Sequence, residues 1–120
     1  MGKRIMGMQR EIKIWGERWL IRKDSTHAVS YLKIKKGYRC SWHVHRTKFN
    51  LFVVLKGSIK VVVEELSKRR EITLRSGESF TIKPGQWHEF QGMKNSKVIE
   101  EMYVEYDEGD INREKIGSKI

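Results

Sequence analysis

The sequence predicts an all-β domain, a sandwich or closed barrel of short strands. Three observations carry this: runs rich in Val, Ile, Phe, Tyr and Trp recur along the chain, several alternate apolar and polar residues with period two, and glycine-bearing turn signals separate them.

Taken in order, strands are expected near 11–15, 17–22, 28–35, 40–45, 50–56, 58–66, 71–75, 79–83, 86–91 and 97–106. "KKG" at 35–37, "KG" at 56–57, "SG" at 76–77 and "PG" at 84–85 close four of these runs, and glycine there supplies the positive φ of a tight turn. Leu32 and Ile34 share a face by alternation, as do Ile59, Val61 and Val63, Ile72 and Leu74, and Phe80 and Ile82. These positions point inward. "LFVVL" at 51–55 does not alternate and is expected to be covered on both sides. Phe52, Val54, Phe80, Ile82, Phe90 and Val104 are assigned to the core. Residues 1–10 form an arm or an added edge strand, residues 11–106 one barrel domain, and residues 107–120 a tail in which Asp110 caps a short helix.

At 120 residues the chain closes one hydrophobic core. No run reaches the roughly 20 apolar residues of a membrane helix, and the first ten residues lack a secretory apolar segment, so the expected location is cytoplasmic, with no membrane partner. The single cysteine, Cys40, excludes an internal disulfide. A formal charge of +10 favours anionic partners. The basic residues are spread along the chain rather than gathered in a helical stripe, so the expected ligand is a small, phosphate-bearing molecule and not nucleic acid.

His43 and His45 stand two apart in "SWHVHR". On a strand they project from one face, about 7 Å apart along it, which suits two ligands of one ion and equally a satisfied polar pair. His88 follows the Pro84-Gly85 turn as a third candidate, while His27 is assigned to the surface. Trp42 and Trp87 each precede one of these histidines and so are expected on the opposite, outer face. Cys40 is placed off the ligand face by parity, as a buried small hydrophobe. Glu89, Glu101 and Tyr103 are the acid–base candidates, if they face inward.

The spacing around the histidines is ordered. Gly37, five residues, His43, Val44, His45, four residues, Asn50, six residues and Gly57 resemble the first cupin motif, G-x5-H-x-H-x3-4-E-x6-G. Gly77, five residues, Lys83, Pro84, Gly85, two residues, His88, three residues and Gly92 resemble the second, G-x5-P-x-G-x2-H-x3-N. Asn50, Lys83 and Gly92 depart from the motif residues. The resemblance implies a cupin double-stranded β-helix, or jelly-roll barrel, with His43, His45 and His88 as ligands of one divalent ion: Zn, Mn, Fe, Ni or Co. Asn50, in place of the usual acid, becomes a weak ligand or a support behind the ligands. Cupins pair through edge strands, which implies a homodimer.

Within cupins, "WGERWLI" at 15–21, "SYLKIKKGYRCSWHVHR" at 30–46, "FVVLKGSIKVVVEE" at 52–65 and "EGDINREKIG" at 108–117 resemble the C-terminal barrel of type II mannose-6-phosphate isomerases. That likeness implies aldose–ketose isomerisation of a sugar phosphate, with a general base that the sequence leaves unidentified. That family carries Gln and Glu where this chain has His43 and Asn50. Three histidines without an acid also resemble the thiol-dioxygenase type of cupin. A non-catalytic sugar-binding or regulatory barrel is the third reading.

Overall fold

The structure, a computed structural model, describes residues 8–104. The expected C-terminal helix and most of the N-terminal arm lie outside these residues. Nine strands follow one another: β1 (Gln9–Lys13), β2 (Gly16–Lys23), β3 (His27–Ile34), β4 (Phe49–Lys56), β5 (Ser58–Glu65), β6 (Lys68–Arg75), β7 (Ser79–Ile82), β8 (His88–Gly92) and β9 (Ser96–Tyr103). They form two antiparallel sheets, a six-stranded one in the order β1-β2-β3-β9-β4-β7 and a three-stranded one in the order β6-β5-β8. The described residues contain no helix long and apolar enough to cross a membrane.

The inner faces of the two sheets meet in one core. Leu32, Ile34, Phe52, Val54, Ile82 and Val98 come from the larger sheet and Ile59, Val61, Leu74 and Phe90 from the smaller, with Trp15 added from the β1–β2 turn. Trp15 meets Phe90 edge to face at 4.9 Å between ring centroids, and Phe52 meets Phe90 at 5.8 Å. Full burial of a side chain such as Phe52 contributes about 1.5–3 kcal/mol, and it is these contacts that fix the spacing of the sheets.

Gly37, Gly57, Gly77 and Gly85 all adopt positive φ, as the turn signals require. Gly57 shows the reason for glycine most directly: a Cβ there would lie 2.7 Å from the Asn95 carbonyl oxygen. Two expectations about burial fail. The run 51–55 is covered on one side only, because β4 alternates buried Asn50, Phe52 and Val54 with half-buried Leu51 and Val53 and exposed Leu55. Val104, assigned to the core, is exposed just beyond β9.

The expected strand at 40–45 is not regular. The segment runs beside β8 and pairs with it at isolated points, Arg39 with Gln91 and His43 with His88. Four steps on one side therefore match three on the other, the signature of a bulge. Beyond it, the Gly85 amide donates to the His45 carbonyl at 2.8 Å, which fastens this segment to the Pro84-Gly85 turn.

Candidate metal centre

The bulge decides which side chains reach the interior. His43 exchanges two backbone hydrogen bonds with His88, at 3.0 and 2.8 Å, so the two imidazoles leave neighbouring backbones on the same side. One extra residue between positions 39 and 43 then lets Cys40, as well as His43, face inward. This corrects the parity argument that set Cys40 apart from the histidines. Its Sγ accepts the Phe90 amide hydrogen at 3.2 Å, and burial pushes the thiol up to about 12.

His43, His45 and His88 converge. One ring nitrogen from each lies within 4.8 Å of the other two, and ring centroids are 4.4 Å apart for His43–His88, 5.0 Å for His43–His45 and 5.4 Å for His45–His88. The backbone sets two of the tautomers. A carbonyl can only accept, so the Nδ1 of His88, 2.9 Å from the Gln86 carbonyl, and the Nδ1 of His43, 2.8 Å from the Ser41 carbonyl, must carry the hydrogen. Each then keeps its lone pair on Nε2. Outer hydrogen bonds of this kind orient imidazoles for a metal.

His88 is almost wholly buried, and burial lowers its pKa to about 4, so it is neutral at physiological pH. Burial also lowers His45, helped by the nearby charges of His43, Lys48 and Arg18. Buried polar atoms are rarely left without a partner. His88 Nε2 and Asn50 Oδ1 are both buried and have none among the described residues. A cation would satisfy such acceptors. Three convergent imidazoles, two with Nδ1 turned to a backbone carbonyl, fit a divalent first-row metal.

Asn50 sits on β4 and turns its amide nitrogen to Glu100 on β9, with Nδ2 to Oε2 at 3.2 Å. The other carboxylate oxygen of Glu100 accepts from Arg18 Nη2 at 3.3 Å, and Arg18 Nε donates to Ser30 Oγ, also at 3.3 Å. Burial raises the Glu100 pKa, against the opposing pull of Arg18 and Asn50. The sequence reading missed Glu100. Glu101 and Tyr103, offered as candidates, fall on the outer parity of β9, where Tyr103 stacks on Phe49 and His27. Glu89 is buried on the side of β8 away from His88, 3.5 Å from Arg39. The residue opposite buried Ser30 and Phe52 in the β3–β9–β4 register is Glu100. That register was the signal.

A cavity of about 230 Å³ is lined by His43, His45, Cys40, Arg18, Glu100 and Met102 among others. A larger groove, about 610 Å³, runs over the other end of the big sheet past Lys33, Lys35, Lys56 and Lys97, and has none of the histidines in its wall. Two of the three histidines line the smaller one. Trp42 and Trp87 stack on each other at 6.4 Å outside it, with the Arg69 guanidinium 4.2 Å from the Trp42 ring, so both lie on the outer face as expected.

A family model for the cupin domain matches residues 30–99. The chain belongs to the cupin family. The two sheets are its jelly roll. No curated protein sequence matches this cupin. Among solved structures it is similar to KdgF from Halomonas sp., with 18% identity, 87% of this chain and 91% of that chain covered and a TM-score of 0.68. An RmlC-like cupin from Shewanella frigidimarina gives 17% identity, 85% and 88% coverage and a TM-score of 0.70. The oxalate decarboxylase of Bacillus subtilis, described with Mn(II) centres, gives 14% identity and a TM-score of 0.73 over 85% of this chain, which spans only 29% of that one. At these identities the likeness is one of fold.

Proposed function

We propose that this cupin holds one divalent ion on His43, His45 and His88, with Asn50 beside it, and interconverts the aldose and ketose forms of a small sugar or sugar phosphate. The observation that carries the reading is the inward carboxylate of Glu100, in the wall of the same cavity as two of the three histidines. A bound ion would supply Lewis acidity towards oxygen. The chain's own part is to position and to move protons. Glu100 takes a proton from the hydroxyl-bearing carbon next to the carbonyl and returns it to the former carbonyl carbon, and the hydroxyl proton passes to the former carbonyl oxygen; Arg18 and Asn50 hold the carboxylate in place through one hydrogen bond each. Cys40, Phe52 and Phe90 give the cavity an apolar side that limits water.

Support comes from the local likeness to the barrel of type II mannose-6-phosphate isomerases and from the Mn(II) centres of the oxalate decarboxylase neighbour. A second reading has an observation of its own: the cluster holds three imidazoles and no carboxylate, which favours an iron-dependent dioxygenase. The reading includes a cytoplasmic homodimer joined along β1, an edge strand among the described residues that carries the exposed Ile12.

The test is metal analysis of protein purified without a histidine tag, followed by assays of hexose phosphate isomerisation and oxygen uptake. Zinc or manganese with isomerisation, and a loss of at least about 100-fold in kcat on Glu100→Gln with metal content unchanged, is the expected result. Iron with oxygen uptake would favour the dioxygenase. Absence of stoichiometric metal would sink both enzyme readings.

A further inference from the structure

The larger groove, about 610 Å³, is lined by five lysines and one glutamate. Of these charged groups only Lys13 also reaches the wall of the histidine cavity. Sheet register gathers the others. Ile34 and Leu32 are buried on the inner face of β3, as are Ser96 and Val98 on that of β9, so Lys33 and Lys97 between them point outwards. Lys33 stands directly opposite Lys97, and Lys97 opposite Lys56 on β4. Lys35 follows the last residue of β3. Like charges in directly opposed positions destabilise a sheet. Here three stand in one row across three strands, all of them exposed.

No carboxylate among the described residues offsets them. The lysines that pair with acids are Lys13, with Glu11 at 3.7 Å, and Lys60, with Glu71 at 3.3 Å. Glu17 stands opposite Lys33, yet its two oxygens accept from Arg10 at 3.2 Å each, and Oε1 also from Trp19 Nε1 at 3.0 Å, so its charge is already answered. Asn95 adds a neutral donor: its Oδ1 accepts the Lys36 amide hydrogen at 3.0 Å, which leaves the Nδ2 hydrogens for a ligand. Lys33, Lys35, Lys56 and Lys97 thus present four ammonium groups to one concave wall. Adjacent strands lie about 4.8 Å apart, so the row from Lys33 through Lys97 to Lys56 runs roughly 10 Å. A single phosphate answers one or two of these charges. The chain of a nucleoside triphosphate spreads about four negative charges along a line, which matches the lysines in number and in arrangement.

We propose that this groove is a second ligand site, separate from the histidine cavity, that takes the oligophosphate chain of a nucleoside triphosphate or of inorganic triphosphate. The ammonium groups act along the chain as point charges, each donating to its oxygens, and Asn95 donates at one end. Binding relieves the opposition of Lys33, Lys97 and Lys56, so the ligand also stabilises the fold. The site does not depend on the metal reading.

Calorimetric titration of the full chain with inorganic triphosphate, ATP, adenosine and inorganic phosphate, at low ionic strength and without added divalent ions, tests this. Triphosphate and ATP should bind at least tenfold more tightly than inorganic phosphate, and adenosine should not bind. ATP binding more tightly than triphosphate identifies a nucleotide as the ligand, and equal affinity identifies the phosphate chain alone. Lys33→Gln/Lys97→Gln should lower triphosphate affinity at least tenfold without lowering the melting temperature, because both side chains are exposed and their mutual repulsion is removed. Lys23→Gln/Lys68→Gln removes the same net charge outside the groove and should keep wild-type affinity. Absence of triphosphate binding, unchanged affinity in folded Lys33→Gln/Lys97→Gln, or an equal loss in Lys23→Gln/Lys68→Gln would each overturn the proposal, and so would inorganic phosphate binding as tightly as triphosphate.

Discussion

The Asn50 amide donates to the Glu100 carboxylate at 3.2 Å, between β4 and β9, in a part of the interior where both residues are buried. The cupin motif places an acid at the position of Asn50. Had an acid stood there, two carboxylates would share an enclosed site at hydrogen-bond distance, which disfavours ionisation of both. Asn50 removes that conflict and supplies the donor that Glu100 needs. An acid stands one strand over, on β9, and the amide is its complement.

Asn50→Asp should therefore be destabilising, by about 3 kcal/mol near pH 7. The new carboxylate and Glu100 would titrate as a pair with a pKa raised above that of the unfolded chain. The deficit should appear as pH rises through that raised value and shrink as pH falls below it. Urea unfolding of wild type and variant at pH 5 and pH 7 checks this, with Asn50→Ala as a control that loses the hydrogen bond, costing about 1–3 kcal/mol, without adding charge. A deficit that does not change with pH would show that the two side chains are not coupled.

His88 makes a separate pH prediction for the metal-free protein. Its pKa is lowered to about 4 in the fold, against an ordinary 6.5, because burial disfavours the imidazolium. Between those values the unfolded chain binds a proton at residue 88 that the folded chain does not. Stability should thus fall as pH drops from about 6.5 towards 4. Thermal melting after chelation, compared with the same scan of His88→Gln, measures the effect, and the variant should lose less stability on acidification.

Replacing His88 with Ala should lower metal content to a small fraction of wild type. His43→Ala should do the same. Both imidazoles have their lone pair freed by a backbone carbonyl two residues earlier, so removing either deletes a pre-oriented donor. Elemental analysis of folded protein, verified by circular dichroism, decides the matter, and full occupancy in His88→Ala would contradict the ligand assignment. His27→Ala, on the surface against Tyr103, is the control and should keep wild-type metal content.

Most of the strand order was legible because alternation and turn chemistry are local. Leu32, Ile34, Ile59, Val61, Val63, Leu74 and Ile82 are buried as their periodicity requires. The early start of β6 at Lys68 was not legible, since the β5–β6 turn takes its positive φ at Leu66 and Ser67, with no glycine to mark it. The three histidines could be read from spacing. Glu100 could not, because its inward direction follows from pairing with Ser30 and Phe52, which are distant in sequence. Cys40 was misplaced for a related reason: parity counts assume a regular strand, and the extra residue before His43 reverses them.

That bulge gives Cys40 a testable part. With the backbone out of register, the Phe90 amide bonds to the Cys40 sulfur, and burial pushes the thiol up to about 12. The thiolate is the reactive form, so in the folded protein Cys40 should resist alkylation by iodoacetamide at pH 8 and react on unfolding in urea. Cys40→Ala should cost about 1 kcal/mol or more, because the Phe90 amide loses its acceptor. Cys40→Ser keeps an acceptor and should recover part of that loss. Mass spectrometry of alkylation against time follows the first expectation and urea melts the second. Rapid labelling of native protein would show that the sulfur is open to solvent and that the irregular segment does not hold it against β8.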